Sequence, residues 1–187
     1  MCWNPLKIRR IMITGPQGCG KTTQAHLIAD KLGVPFVGAG DLLRELAEED
    51  TEAGRSVKAS MDKGELVDDS ILAGLIKKEV SQPEYQKGFV ADGYPRTHAQ
   101  LDHFDPNYDK VFYLKISDSE AERRLLGRGR EDDTPKLIRE RLKWYHEETQ
   151  PLLDYYRKVD KLVIVDGERS IEDVSREIEK VLEGGSH

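Results

Sequence analysis

The chain reads as an α/β protein built on a five-stranded parallel sheet, and three observations predict it. Five short runs rich in β-branched and aromatic residues, at 8–14, 34–37, 89–91, 111–116 and 162–165, alternate with stretches of helical periodicity. The first run breaks into Gly15-Pro16-Gln17-Gly18-Cys19-Gly20-Lys21-Thr22-Thr23, which meets the spacing G-x-x-x-x-G-K-[ST] of a phosphate-binding loop, or P-loop. The 187 residues, 37% apolar and 34% charged, suit one well-buried core carrying insertions rather than two independent folds.

Each element follows in order. After the first strand the glycines let successive backbone N–H groups turn inward around an anion. The next helix, with Ala25, Leu27, Ile28 and Leu32 on its apolar side, points its positive end at the same place. Lys21 reaches the β and γ phosphates as a point charge, and a hydroxyl of Thr22 or Thr23 faces a magnesium ion or a phosphate oxygen. Residues 38–67 hold two helix-like pieces, 41–50 and 55–63, with no strand between them, and read as an inserted helical unit. Asp68-Asp69-Ser70 open a helix whose stripe is Ile71, Leu72, Leu75, Ile76 and Val80. The charged loop 127–133 interrupts the alternation a second time. Thr134-Pro135 then start a long helix through Leu137, Ile138, Leu142 and Tyr145, which Pro151 kinks or restarts before Leu152, Tyr155 and Tyr156. Ser170-Ile171-Glu172-Asp173 is a capping box with Asp in the last place, opening a helix through Val174, Ile178 and Val181. The expected core is therefore 1–37, 68–126 and 134–187, with 184–187 a flexible tail.

Composition narrows the function. A net charge of −6 and a pI near 5.5 disfavour a general nucleic-acid surface, which needs an excess of Lys and Arg. No apolar run reaches membrane-spanning length and Met1-Cys2-Trp3-Asn4-Pro5 lacks the pattern of a signal peptide, so no membrane partner and a cytoplasmic location are expected. Cys2 and Cys19 make neither a disulfide framework nor a four-cysteine zinc site. Cys19 reads as a small residue that fits the loop, although a thiol beside a helix N-terminus tends to a lowered pKa. His26, His98 and His103 have no metal-ligand spacing, and Trp144, Tyr145, Tyr155 and Tyr156 read as packing residues.

In parallel sheets of this kind ligands bind beyond the carboxyl ends of the strands, where Gly15, Asp92 and Ser117 fall. Asp92 at a strand end is placed to hold Mg²⁺ through water, and Arg96 offers a planar fork for a second phosphate group. The bland alternative is a turn made by Gly93 and Pro95 with a solvated arginine. Transfer between two polyanions is mainly positioning and electrostatic stabilisation, which arginines supply. Arg123, Arg124, Arg128, Arg130, Arg139 and Arg141 cluster in an otherwise acidic chain; Arg123 and Arg139 also suit a solvated helix face.

Five motifs in order, the P-loop at 15–24, Gly40-Asp41-Leu42-Leu43-Arg44, Gly64-Glu65-Leu66-Val67, Asp92-Gly93-Tyr94-Pro95-Arg96-Thr97 and Arg130-Glu131-Asp132-Asp133, are similar to those of nucleoside monophosphate kinases. Nearly the whole chain resembles the adenylate kinase family. The resemblance implies a three-layer P-loop fold with a helical acceptor-binding insertion at 38–67 and a short lid at 127–133, and reversible transfer from ATP to AMP with Mg²⁺ bound alongside the ATP. It implies ATP contacts from Gly18, Cys19, Gly20, Lys21, Thr22 and Thr23, from Arg124 stacked on the adenine, from Arg128, and from Gly167 and Arg169 on the far side of the base. It implies AMP contacts from Ala39, Arg44, Glu65, Leu66, Val67, Gly93, Tyr94, Arg96, Gln100, Arg130 and Arg141. Lys21, Arg96, Arg128, Arg130 and Arg141 would carry the transfer, with no general base. Three departures stand out. A single Gly129 between Arg128 and Arg130 leaves no room for a zinc-binding hairpin. Thr22 stands where the family usually has Gly. Ala39 stands where adenylate kinases usually have Thr and is similar to kinases acting on UMP and CMP, whereas Thr97 and Gln100 follow the adenylate pattern. AMP is thus the first acceptor, a UMP/CMP or broad-specificity kinase the alternative, and a P-loop switch the rival from another class. A monomer is expected.

Overall fold

Ile11, Met12 and Ile13 are all but inaccessible on both sides, so the strand they form, β1 (Arg10–Thr14), must lie at the centre of a covered sheet. The computed structural model describes residues 9–62, 67–129 and 133–184. It pairs β1 in parallel with β3 (Phe89–Asp92) on one side and β4 (Lys110–Lys115) on the other. β2 (Phe36–Gly38) and β5 (Leu162–Asp166) form the edges, giving the order β2-β3-β1-β4-β5. Asp92 stands level with Ile13 and with Gly38, so β1, β2 and β3 deliver their last residues to one rim.

Alternating residues of the strands feed two core layers. Ile11, Ile13, Val90, Phe112 and Leu114 pack with Ile28, Ile138 and Ile178 on one face. Met12, Phe89, Ala91 and Val111 pack with Leu72, Ile76, Tyr94, Tyr108 and Tyr156 on the other. The helices that cover these faces are α1 (Lys21–Leu32), α4 (Asp69–Val80), α5 (His98–His103), α6 (Asp118–Arg128), α7 (Pro135–Trp144), α8 (Gln150–Lys158) and α9 (Ile171–Leu182). Side-chain oxygens of Asp68, Thr97, Ser117, Thr134 and Ser170 cap α4, α5, α6, α7 and α9, each accepting from a backbone N–H in the first turn. At Ser170 the box is half of the usual one: its hydroxyl accepts from Asp173 N–H at 3.1 Å and donates to the Asp173 carboxylate at 2.7 Å.

Two helices, α2 (Ala39–Glu48) and α3 (Glu52–Asp62), occupy the expected insertion and start earlier than the sequence pattern suggests. Gly38 is extended and serves as the N-cap of α2, so that helix begins directly at the end of β2. The long helix expected after Thr134 is interrupted by a π-helical turn, Tyr145–Thr149, in which the Gln150 N–H donates to the Tyr145 carbonyl. Pro151 follows at once; it has no N–H to donate one turn back and its ring crowds that carbonyl, so the preceding turn widens. Of the residues expected to form a lid, Gly127 and Arg128 end α6 and Gly129 caps it at φ 71°, while 130–132 lie outside the described residues, as do 63–66 and 185–187. Among the described residues no helix is long and apolar enough to cross a membrane.

Candidate active site

The P-loop owes its shape to glycines that nothing else could replace. A Cβ on Gly15 would stand 2.6 Å from the Leu114 carbonyl oxygen and 2.7 Å from the Cys19 sulfur. Gly20 adopts φ 87° as the N-cap of α1 and offers no side-chain cap, so the first N–H groups of that helix are left facing the loop. Lys21 Nζ donates to the Pro16 carbonyl at 3.4 Å, across the loop's own mouth. The Thr22 hydroxyl donates to Asp92 Oδ2 at 2.5 Å, joining the loop to the end of β3. Asp92 is buried, and its Oδ1 has no hydrogen-bond partner among the described residues. A hydroxyl and a carboxylate with an unused oxygen are hard donors that suit Mg²⁺, which usually takes one or two carboxylates plus phosphate oxygens and water. Among the described residues no group of three or more His, Cys, Asp or Glu side chains could hold a metal.

Cys19 agrees with the reading of a small residue that fits the loop, and its thiol departs from the lowered pKa usual beside a helix N-terminus. It is 3% exposed, and burial pushes its thiol above the ordinary value, outweighing the opposing charge of Lys21.

On one side of the loop a cavity of about 340 Å³ is walled by Gly18, Thr23, Arg124, Gly167, Arg169 and Ile171. Arg124 is fixed there: its Nε donates to Glu120 at 2.6 Å and its Nη1 to the Gly167 carbonyl at 2.9 Å. Hydrogen bonds from Arg123 and Arg124 hold the Glu120 carboxyl down to about 2. Arg169 is held from the opposite side by Glu177 at 2.7 Å. On the other side of the loop Lys21 shares a second cavity, of about 90 Å³, with Gly93 and Arg96. Arg96 is oriented by its own turn, with Nε donating to the Gly93 carbonyl at 3.0 Å and its N–H to Gln100 Oε1 at 2.7 Å. A Cβ on Gly93 would lie 3.1 Å from Arg96 Nη2 and 3.4 Å from the Ala39 Cβ, so these three residues meet. Two cavities thus flank the P-loop, one holding Arg124 and Arg169 and the other Lys21 and Arg96.

The sequence model of the family described as Adenylate kinase matches residues 13–161. The chain belongs to the adenylate kinase family. Adenylate kinases of Archaeoglobus fulgidus and Trichodesmium erythraeum are 36% and 38% identical to it, over 92% and 91% of this chain and 97% and 96% of theirs. That of a Mycobacterium species is 41% identical over 88% of this chain and 94% of its own.

Other adenylate kinase positions expected from the resemblance fall less simply. Tyr94 is fully buried, its hydroxyl shared between the carbonyls of Gln100 at 2.8 Å and Phe104 at 2.7 Å, and its carbonyl accepts from Tyr108. It is a core residue that braces the turn, and its side chain does not face the cleft. Gln100 is 5% exposed, with Nε2 donating to Asp69 at 2.7 Å while Oε1 serves Arg96, so it acts on the site by holding that turn. Arg44 is exposed and ion-paired with Asp41. Val67 is half-buried, while Glu65, Leu66 and Arg130 lie outside the described residues.

Two residues of the site were missed by sequence reasoning. Asp133, 8% exposed, accepts both ends of the Arg128 guanidinium at 2.8 and 2.9 Å and one nitrogen of Arg141 at 3.4 Å, so one carboxylate gathers two of the expected phosphate-binding arginines. Trp144 was read as packing, yet it is only half-buried and walls the cavity shared by Lys21 and Arg96. Its register gave no signal, because Trp144 follows Leu137 of the expected stripe by seven residues, and only the exposure of Leu137 shows that this edge faces outward. Arg123 and Arg139 pair with Glu120 and Glu122 on exposed helix faces, in keeping with the solvated reading.

Proposed function

We propose that this member of the adenylate kinase family catalyses ATP + AMP = 2 ADP, with Mg²⁺ carried alongside the ATP. What carries the reading is Lys21 and Arg96 facing one cavity, with the pocket of Arg124, Gly167 and Arg169 on the far side of the P-loop. The larger pocket takes the ATP adenine, the P-loop amides and Lys21 take its phosphates, and Arg96, joined by Arg44, grips the α-phosphate of AMP. Ala39, Glu65, Leu66, Val67 and Gly93 surround the acceptor nucleoside, and Gln100 supports them by holding the turn that carries Arg96. Arg128, Arg130 and Arg141 neutralise charge on the transferring phosphoryl group, which spreads over its equatorial oxygens. The Thr22 hydroxyl and the Asp92 carboxylate would hold the metal's water shell, and the bound ion would neutralise the phosphates. Residues 38–67 serve as the acceptor-binding unit and 127–133 as a lid that excludes water as a competing acceptor. The same reading entails a cytoplasmic, monomeric enzyme without zinc.

A second reading has one observation behind it. Ala39 presents a methyl group, 1% exposed, where it meets Gly93 and Arg96, and so offers no side-chain hydrogen bond to the acceptor base. That suits a kinase accepting UMP or CMP as well. Incubation with Mg-ATP and each of AMP, CMP, UMP and GMP, followed by chromatography, separates these readings. ADP formed with AMP alone supports adenylate specificity, diphosphates from CMP or UMP move the assignment to a broader kinase, and indifference to every monophosphate leaves only a P-loop switch.

A further inference from the structure

Buried polar atoms without partners are rare in folded proteins, and each calls for an explanation. Among the described residues Gln17 Oε1, the Tyr145 hydroxyl and Thr149 Oγ1 are three such atoms, and all three residues line the cavity between Lys21 and Arg96. Gln17 comes from the P-loop, while Tyr145 and Thr149 are the two ends of the π-helical turn. The Tyr145 hydroxyl lies beside that of Tyr113, so among the three it is Gln17 Oε1 and Thr149 Oγ1 that face no other polar side chain of the described residues. The cavity holds about 90 Å³, room for a few waters, and the unpartnered oxygens on its wall are polar groups such waters can bond.

We propose that Gln17 and Thr149, with Tyr145 beside them, hold a small water cluster against one wall of this cavity, clear of the space the phosphates take, that ties the P-loop to the π-helical turn, and that Gln17 and Thr149 are positioning residues for phosphoryl transfer. The proposal rests on the reaction given above. Thr149 donates to water and Gln17 Oε1 accepts from it, so the bridge joins a hydroxyl to an amide carbonyl. The turn continues directly from α7, which carries Arg141, and Gln17 lies four residues before Lys21 in the loop. A fixed bridge therefore sets the separation between the lysine that meets the donor phosphates and the arginine that meets the transferring group. Misplacement of such groups by a fraction of an ångström slows transfer more than it weakens binding.

The test uses Thr149→Val, which keeps the shape and removes the hydroxyl, Thr149→Ser, which restores it, Gln17→Met, and the Gln17→Met/Thr149→Val pair. We expect Thr149→Val and Gln17→Met each to lower kcat about tenfold with KM for ATP and AMP changed less than about twofold. Thr149→Ser keeps kcat near wild type, and the pair loses little more than the worse single variant, because both break one cluster. Unchanged kcat in Thr149→Val, equal losses in Thr149→Ser, or losses that multiply in the pair overturn the proposal. Thr149→Val that unfolds at a higher temperature with kcat intact also overturns it, since the hydroxyl would then be merely unsatisfied. Wild-type protein that makes no ADP from ATP and AMP overturns the reaction instead. The cluster is still judged then by a high-resolution crystal structure, where no ordered water touching Thr149 Oγ1 and Gln17 Oε1 would refute it.

Discussion

The Thr22 hydroxyl and the Asp92 carboxylate form the shortest link between the two motifs that carry the chemistry, and removing it has two separable consequences. Thr22→Val leaves both oxygens of a buried carboxylate without a protein partner, so we expect a loss of about 1–3 kcal/mol by urea unfolding. It also frees Asp92 to turn, so the Mg²⁺ concentration giving half-maximal activity should rise. Thr22→Ser should restore both, and a valine variant with wild-type stability and Mg²⁺ dependence would show that the link is incidental. Cys19 lends itself to a simpler test. Its raised thiol pKa and its burial both suppress the thiolate, so alkylation by iodoacetamide at neutral pH, followed by mass spectrometry of the peptide containing Cys19, should be far slower than for an exposed cysteine. Lys21, Thr22, Asp92 and Arg96 were legible in the sequence because each sits at a fixed offset from a strand end, where local geometry alone aims the side chain. Asp133 and Trp144 were not, because their roles come from which distant elements pack against them, and no spacing along the chain records that.

At the scale of elements, helix ends decide where the arginines stand. α7 begins at Thr134, whose hydroxyl accepts from Leu137 N–H at 3.3 Å, and it carries Arg141 onto Asp133 one residue before the cap. Thr134→Ala should cost about 1 kcal/mol in urea unfolding, with Thr134→Ser close to wild type. Because Asp133 adjoins the cap, the alanine variant should lose activity as well, and full activity at reduced stability would separate the cap from the site. Thr134-Pro135, the acidic helix start at Asp68 and the box at Ser170 were readable, since capping uses the side chain of the residue itself. The start of α2 was displaced because an extended Gly38 lets a helix follow a strand without a loop, which no apolar stripe announces. The π-helical turn was legible only as a disturbance at Pro151; which turn widens depends on how Tyr145 and Thr149 pack.

For the whole molecule, stability against pH follows from which ionisable groups gain partners on folding. Arginine hydrogen bonds hold Glu120 at about 2, against an ordinary 4.5, and Ser117, Ser170 and Lys31 likewise lower Glu168, Asp173 and Glu179. A carboxylate whose folded pKa lies below its unfolded one stabilises the fold above the unfolded value, and that contribution is lost as pH falls through the folded value. His146 has the opposite sign. Its Nδ1 faces Gln150 Oε1 at 2.6 Å and its Nε2 faces Asp118 Oδ1 at 2.9 Å, two acceptors that only the doubly protonated ring satisfies, so its pKa is raised above 6.5. Its contribution is complete below 6.5 and disappears as pH rises through the raised folded value. Stability should therefore peak between the ordinary carboxylate range and 6.5, on the acid side of neutrality. Urea midpoints measured from pH 2 to 9 should fall on both sides of that window. Glu120→Gln should flatten the acid limb between 4.5 and 2 and leave the other limb alone, because the glutamine binds no proton in either state. His146→Asn should flatten the limb above 6.5 and leave the acid limb alone. The two residues sit on α6 and the π-helical turn and share no hydrogen bond, so the double variant should show both changes added together, and a departure from additivity would mean that α6 and the turn unfold as one coupled unit through Asp118.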